Sequence, residues 1–178
     1  MPRLFTGLEI PSQTGLMLSL LRGGLRGARW IDPENYHLTL RFIGDIDDRT
    51  ADEVVAALDR VRRDPVEIRM NGLGSFGNGK PHAVWARVEP TAQLAELQAE
   101  QERILQRLNL PAERRKYTPH VTIARCKTST NEDVAKWLSE RGNFQAPPFV
   151  AGRFVLFSAK SSVGGGPYLV EEAYPLAA

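Results

Sequence analysis

At 178 residues, 42% hydrophobic and 25% charged, the chain has the makeup of a globular protein long enough to bury a core of its own. A formal net charge of +2 excludes a general nucleic-acid coat, so any basic surface is local, at residues 60–63 or at Arg114-Arg115-Lys116. The lone Cys126 excludes an internal disulfide and a cysteine-rich zinc site, and neither an apolar leader nor a membrane-length apolar run is present, so a cytoplasmic protein with no membrane partner is expected.

In chain order, residues 3–9 (RLFTGLE) read as a strand, and Pro11 opens a helix to about residue 21, closed by Gly23-Gly24. Residues 36–44 form the next strand. Residues 47–63 form an amphipathic helix with Val54, Val55, Leu58 and Val61 on one stripe. Residues 66–76 are a strand running into a glycine-rich turn. The order then restarts: strand 83–89, helix 91–108, strand 120–126, helix 131–140 and strand 149–160. A turn at Gly164-Gly165-Gly166 leads to a hairpin partner at residues 168–174. This is a β-α-β-α-β unit written twice, about 1–78 and 81–178, within a single domain of residues 1–178 whose lobes have room to exchange elements.

Two of the three histidines head the same tetrapeptide, His37-Leu38-Thr39-Leu40 and His120-Val121-Thr122-Ile123. In a strand, alternation puts each His and Thr on one face and the aliphatic pair on the other. His120 lies 83 residues after His37, and the same shift carries Ser75 onto Ser158. Two lobes related by a pseudo-twofold axis bring the motif strands face to face, so both histidines share one cleft. Imidazoles titrate near pH 6.5, so one can act as a base while the other carries a proton. In-line displacement at phosphorus needs that pair on opposite sides, and the Thr39 and Thr122 hydroxyls are suited to donate to the phosphate oxygens. The plainer alternatives are two structural histidines and a metal site. For the latter only His82 remains as a third imidazole, and neither motif has ligand spacing, so no metal and no cofactor are expected.

The paired motifs, the opening RLFTGLEIP, and the strings YHLTLRFIG and YTPHVTIAR resemble the two-histidine (2H) phosphoesterase superfamily, and within it the 2′-5′ RNA ligase-like RNA 2′,3′-cyclic phosphodiesterases. The resemblance covers nearly the whole chain. It implies a bilobal α+β fold with two antiparallel-rich sheets around a central cleft and helices outside. It also implies metal-independent hydrolysis of an RNA terminal 2′,3′-cyclic phosphate to a 2′-phosphomonoester, with reverse 2′-5′ ligation in some members. By position, it makes His37 the proton donor and His120 the proton acceptor, with Thr39 and Thr122 on the phosphate and Arg125 reaching the phosphate or stacking on the terminal base. Strict alternation turns Arg125 away from His120, so that role needs the strand to twist or to end near Cys126.

Alternation places Arg41 on the His37 and Thr39 face, as a further substrate contact or an exposed strand-end arginine. The segment Glu113-Arg114-Arg115-Lys116-Tyr117 is a solvated loop or an RNA-backbone contact at the cleft rim with Tyr117 available to stack on a base, and Phe5 and Trp30 are candidate cleft walls or core. Gly74 to Lys80 (GSFGNGK) fits a phosphate-loop pattern until Pro81 takes the Ser/Thr place, and a strand follows, so it reads as a lobe connection. Two other functions remain open: the same chemistry on a small cyclic nucleotide, an ADP-ribose cyclic phosphate or a 2′-5′ oligoadenylate, and a non-catalytic module gripping an RNA end. A monomer is expected, since the pseudo-dimer lies within one chain.

Overall fold

The computed structural model describes residues 3–159 and 166–177. Its strands are β1 (Arg3–Glu9), β2 (Ala28–Trp30), β3 (His37–Asp45), β4 (Val66–Gly77), β5 (Pro81–Val88), β6 (His120–Cys126), β7 (Gln145–Ala151), β8 (Arg153–Ala159) and β9 (Tyr168–Pro175). Among the described residues, four α-helices, α1 (Ser12–Ser19), α2 (Asp48–Leu58), α3 (Ala92–Arg107) and α4 (Asn131–Arg141), and a single 3-10 turn at Pro33–Asn35 join them. One sheet has the order β3-β1-β8-β9 and the other β2-β6-β5-β4-β7, with every pairing antiparallel. The architecture is the expected α+β pair of sheets.

The lobes interleave. β4, the last strand of the first sequence unit, pairs with β5, and β8, the last strand of the second unit, pairs with β1. Each motif strand is therefore held by a first strand of its own unit and backed by a last strand from the other. The glycine-rich segment is the tight hairpin between β4 and β5, with Gly79 at φ 86°, a backbone region glycine enters at no steric cost.

Two readings of the sequence need correction. Residues 149–160 are not one strand: the chain breaks at Gly152, and β7 and β8 belong to different sheets. Pro147 and Pro148 suit β7 to an edge, where missing N–H groups face solvent. The short β2 escaped notice, since three residues give no period to read. Helix α2 also stops at Leu58, not residue 63; Asp64 precedes Pro65, which disfavours helical backbone there. Gly164 and Gly165 of the expected turn lie outside the described residues.

The helices begin where their caps dictate. Asp47 accepts from the Thr50 N–H (2.7 Å), Thr91 from Leu94 (3.2 Å), and Thr130 and Asp133 form a reciprocal capping box. Helix α3 buries Leu94, Leu97, Gln101 and Leu105, one stripe at helical spacing. The aliphatic residues of both motifs, Leu38, Leu40, Val121 and Ile123, are buried in the main core, each removing side chain from water worth about 1.5–3 kcal/mol. A second, aromatic cluster of Phe5, Val155 and Phe157, with Tyr168 against it, covers the opposite face of the first sheet. That face is the cleft.

Candidate active site

The two motif strands belong to different sheets yet lie in contact. Alternation seats His37, Thr39, His120 and Thr122 half-buried on the cleft side, with their aliphatic neighbours in the core. Each strand then carries an irregularity at the same place. Across β1, Thr6 faces Arg41 and Gly7 faces Thr39, so Leu40 is an extra residue; across β5, Val84 faces Ala124 and Trp85 faces Thr122, so Ile123 is extra. A bulge of this kind rephases the side chains beyond it.

That rephasing decides the fate of two arginines. In β6 it returns Arg125 to the face of His120 and Thr122, and the Arg125 charge acts on both imidazoles. In β3 it turns Arg41 inward, contrary to the expected substrate contact. Arg41 is 6% exposed, paired with Glu102 of α3 and donating to the Phe42 and Pro111 carbonyls. Its place on the cleft face passes to Phe42, 48% exposed, which the same 83-residue shift aligns with Arg125. Phe42 went unread because the bulge that exposes it leaves no mark in the residue pattern.

Both imidazoles are held alike. His37 Nδ1 donates to the Asn35 carbonyl (3.0 Å) and His120 Nδ1 to the Thr118 carbonyl (2.6 Å). A carbonyl can only accept, so Nδ1 carries the hydrogen, and the neutral ring keeps its Nε2 lone pair for other chemistry. Aromatic rings fix the planes. Phe5, Tyr168 and Phe157 lie 4.8, 4.9 and 5.6 Å from His37, and Phe76 and Trp85 lie 4.7 and 5.5 Å from His120. Gly74 sits opposite Trp85, and a Cβ there would collide with the indole. Phe5, only 4% exposed, supports the His37 ring and has no open face for a base, which corrects its reading as a substrate contact.

Tyr117 is partly buried and engaged within the protein. Its hydroxyl donates to the Thr39 carbonyl (2.9 Å) and its ring packs on the core, tying the segment before β6 to the opposite motif strand. Burial raises its pKa well above the usual value, so it stays a donor. Of the basic residues at 60–63, Arg63 is engaged by Glu96 and Glu100 of α3 (3.3 and 2.8 Å). Trp30 is half-buried, 5.9 Å from Trp137, and His82 is an exposed residue of β5. Among the described residues, neither the Thr39 nor the Thr122 hydroxyl has a protein partner, and the buried Arg125 Nε and Trp85 Nε1 also lack one. These donors suit an anion.

Burial pushes the His37 pKa down to about 4; the Asn35 carbonyl opposes this, and the charges of His120 and Arg125 reinforce it. Burial also lowers His120, against the Thr118 carbonyl and with help from Arg125. Both rings are therefore neutral at pH 7 in the free protein. A bound phosphate anion reverses the local field and raises both values, so binding takes up protons and tightens as pH falls from 8 to 6. NMR titration of the His37 ring with and without 2′-AMP checks this; an unchanged His37 pKa at saturation places it away from the phosphate. Because the folded His37 value lies below the unfolded one, its contribution to stability is present above about pH 6.5 and is lost as pH falls towards 4.

The chain matches the 2'-5' RNA ligase superfamily over residues 27–161. It is 36% identical over 118 residues to the RNA 2',3'-cyclic phosphodiesterase of Aeropyrum pernix, a span covering 65% of this chain and 67% of that protein. It is 31% identical over 152 residues to the RNA 2',3'-cyclic phosphodiesterase of Aquifex aeolicus, covering 82% of this chain and 81% of the other. Among solved structures, E. coli LigT in its apo form is similar with a TM-score of 0.81 over 99% of each chain, at 18% identity, a likeness of fold. No helix among the described residues is long and apolar enough to cross a membrane.

Proposed function

Because the chain belongs to the 2'-5' RNA ligase superfamily, we propose that its cleft opens the 2′,3′-cyclic phosphate at an RNA end to a 2′-phosphomonoester, by acid–base catalysis between His37 and His120. The observation that carries this reading is the pairing of the two imidazoles. They come from facing strands, each is tied at Nδ1 so that Nε2 is the reactive nitrogen, and they lie close enough to feel each other's charge.

The anionic cyclic phosphate enters between the Thr39 and Thr122 hydroxyls and Arg125, and its charge lets His37 take up a proton. His120 Nε2 removes a proton from a water attacking phosphorus on the side opposite the 3′ oxygen. The P–O3′ bond breaks, and His37 delivers its proton to the leaving oxygen as the 3′ hydroxyl forms. The assignment of donor and acceptor follows the family pattern. A 5′ hydroxyl replacing water would instead form a 2′-5′ bond. The unit works as a monomer, since one chain supplies both walls, and a reducing cytoplasm suits the free thiol of Cys126.

The test is incubation with an RNA ending in a 2′,3′-cyclic phosphate in excess EDTA. Ring opening to a 2′-phosphate is the expected result. A strict metal requirement, or a 3′-phosphate product, contradicts it.

A further inference from the structure

Arg29 of β2 and Arg125 of β6 are direct cross-strand partners. Opposed residues of an antiparallel pair project from the same face, and like charges so placed repel unless something lies between them. Among the described residues neither arginine has a carboxylate partner, and the buried Arg125 Nε has no hydrogen-bond partner at all. Both line a groove of about 470 Å³ that Trp30 and Pro167 also wall. Two acidic side chains share this groove: Asp32, which is paired with Arg22 (3.9 Å), and the solvent-exposed Glu34. Asn35, whose carbonyl holds His37, lines it as well, and Arg125, whose charge reaches both imidazoles, does too, so the groove adjoins the cleft.

We propose that Arg29 and Arg125 form a second phosphate subsite, which holds the phosphate on the 5′ side of the terminal nucleotide while its 2′,3′-cyclic phosphate lies between the histidines. This rests on the reading of the cleft given above. Arg125 faces the imidazoles, and Arg29 stands one strand further out, a spacing of about 4.8 Å. A second phosphate on the same strand relieves the repulsion between the two guanidinium groups, with Arg125 bridging it to the cyclic phosphate and Arg29 held by the second phosphate alone. A cyclic mononucleotide with a free 5′ hydroxyl lacks that group, so the subsite favours RNA ends over free cyclic nucleotides. Phosphate contacts position a strand without reading its sequence, so the preference is indifferent to the base.

The experiment compares kcat/KM for three substrates: 2′,3′-cyclic AMP with a 5′ hydroxyl, the same nucleotide with a 5′-phosphate, and a dinucleotide ending in a cyclic phosphate. The wild-type protein is expected to favour the second and third about tenfold, the size of one charge-assisted hydrogen bond. Arg29→Gln loses the preference, keeps its rate on the 5′-hydroxyl nucleotide, and so reports its own folding. Equal rates on all three substrates overturn the proposal. So does a uniform loss in Arg29→Gln, which would put Arg29 on the reactive phosphate. A preference for the dinucleotide alone would mean that the groove reads a sugar or base. A calorimetric comparison needs no turnover: adenosine 2′,5′-bisphosphate should bind about tenfold tighter than 2′-AMP to the wild type and equally to Arg29→Gln. Absence of turnover counts against the cleft's proposed reaction, whereas equal affinities count against the subsite.

Discussion

Replacing His37 or His120 with alanine lowers kcat on a 2′,3′-cyclic phosphate by about 10²- to 10⁴-fold each, with little change in KM. Tenfold in rate is about 1.36 kcal/mol, so each loss amounts to about 3–5 kcal/mol of barrier. The phosphate contacts proposed for Thr39, Thr122 and Arg125 would survive both changes, which is why the effect is expected on kcat. The two variants separate on a phosphodiester with a good leaving group. Such a group departs without a proton, so His37→Ala regains rate on it and His120→Ala does not. Circular dichroism should match the wild type, because both rings stand on strands anchored by Leu38, Leu40, Val121 and Ile123 on the far face. Near-normal turnover in either variant would remove that histidine from the reaction.

Arg41→Ala is expected to cost about 3–5 kcal/mol of stability, because it leaves Glu102 as a mostly buried carboxylate without its cation. Arg41 and Glu102 do more than pair. Arg41 holds the Pro111 carbonyl, and Glu102 accepts from the Glu113 N–H (2.9 Å), so together they pin the segment that delivers Tyr117 and the Thr118 carbonyl to the cleft. Loosening it also lowers activity through the orientation of His120. Changing both residues, Arg41→Met with Glu102→Leu, should recover much of the stability, since no charge is then stranded. Burial pushes the Glu102 carboxyl up, but its bonds from Arg41, Gln106 and the Glu113 N–H outweigh this and hold it below the ordinary value. Its contribution is therefore present above the unfolded pKa of about 4.3 and disappears as pH falls through the lower folded value. Thermal unfolding from pH 7 to pH 3 should show a smaller drop in Glu102→Gln than in the wild type.

The motif strands were legible because a strand's period of two is written in the residues themselves. His37 and Thr39 alternate with Leu38 and Leu40, and the same is true of the second copy, so the structure finds all four polar side chains where the pattern puts them. What happens past the motif was not legible. A single extra residue in each strand swaps the faces, sending Arg41 into a helix contact and bringing Phe42 and Arg125 to the cleft. Nothing in LRFIG or IARCK marks that residue, because a bulge is set by the partner strand. Strand exchange was allowed for but not located, for a related reason: hydrophobicity marks strands at residues 66–76 and 149–160, but not that the second breaks at Gly152 or which sheet receives each part. The aromatic residues near the cleft had the right address and the wrong role. Phe5 has no exposed face to offer a base, and the partly buried Tyr117 commits its hydroxyl to the Thr39 carbonyl, so both help to hold the motif strands.

The most direct test of the facing-histidine site is the turnover of the double variant His37→Ala/His120→Ala beside the two single variants, on one cyclic-phosphate substrate. If the imidazoles act as one acid–base pair across the cleft, removing either abolishes the shared step, and the double variant is scarcely slower than the worse single one. Losses that multiply in the double variant would assign the two histidines to independent tasks, and a double variant retaining most of the wild-type rate would place the chemistry elsewhere in the protein.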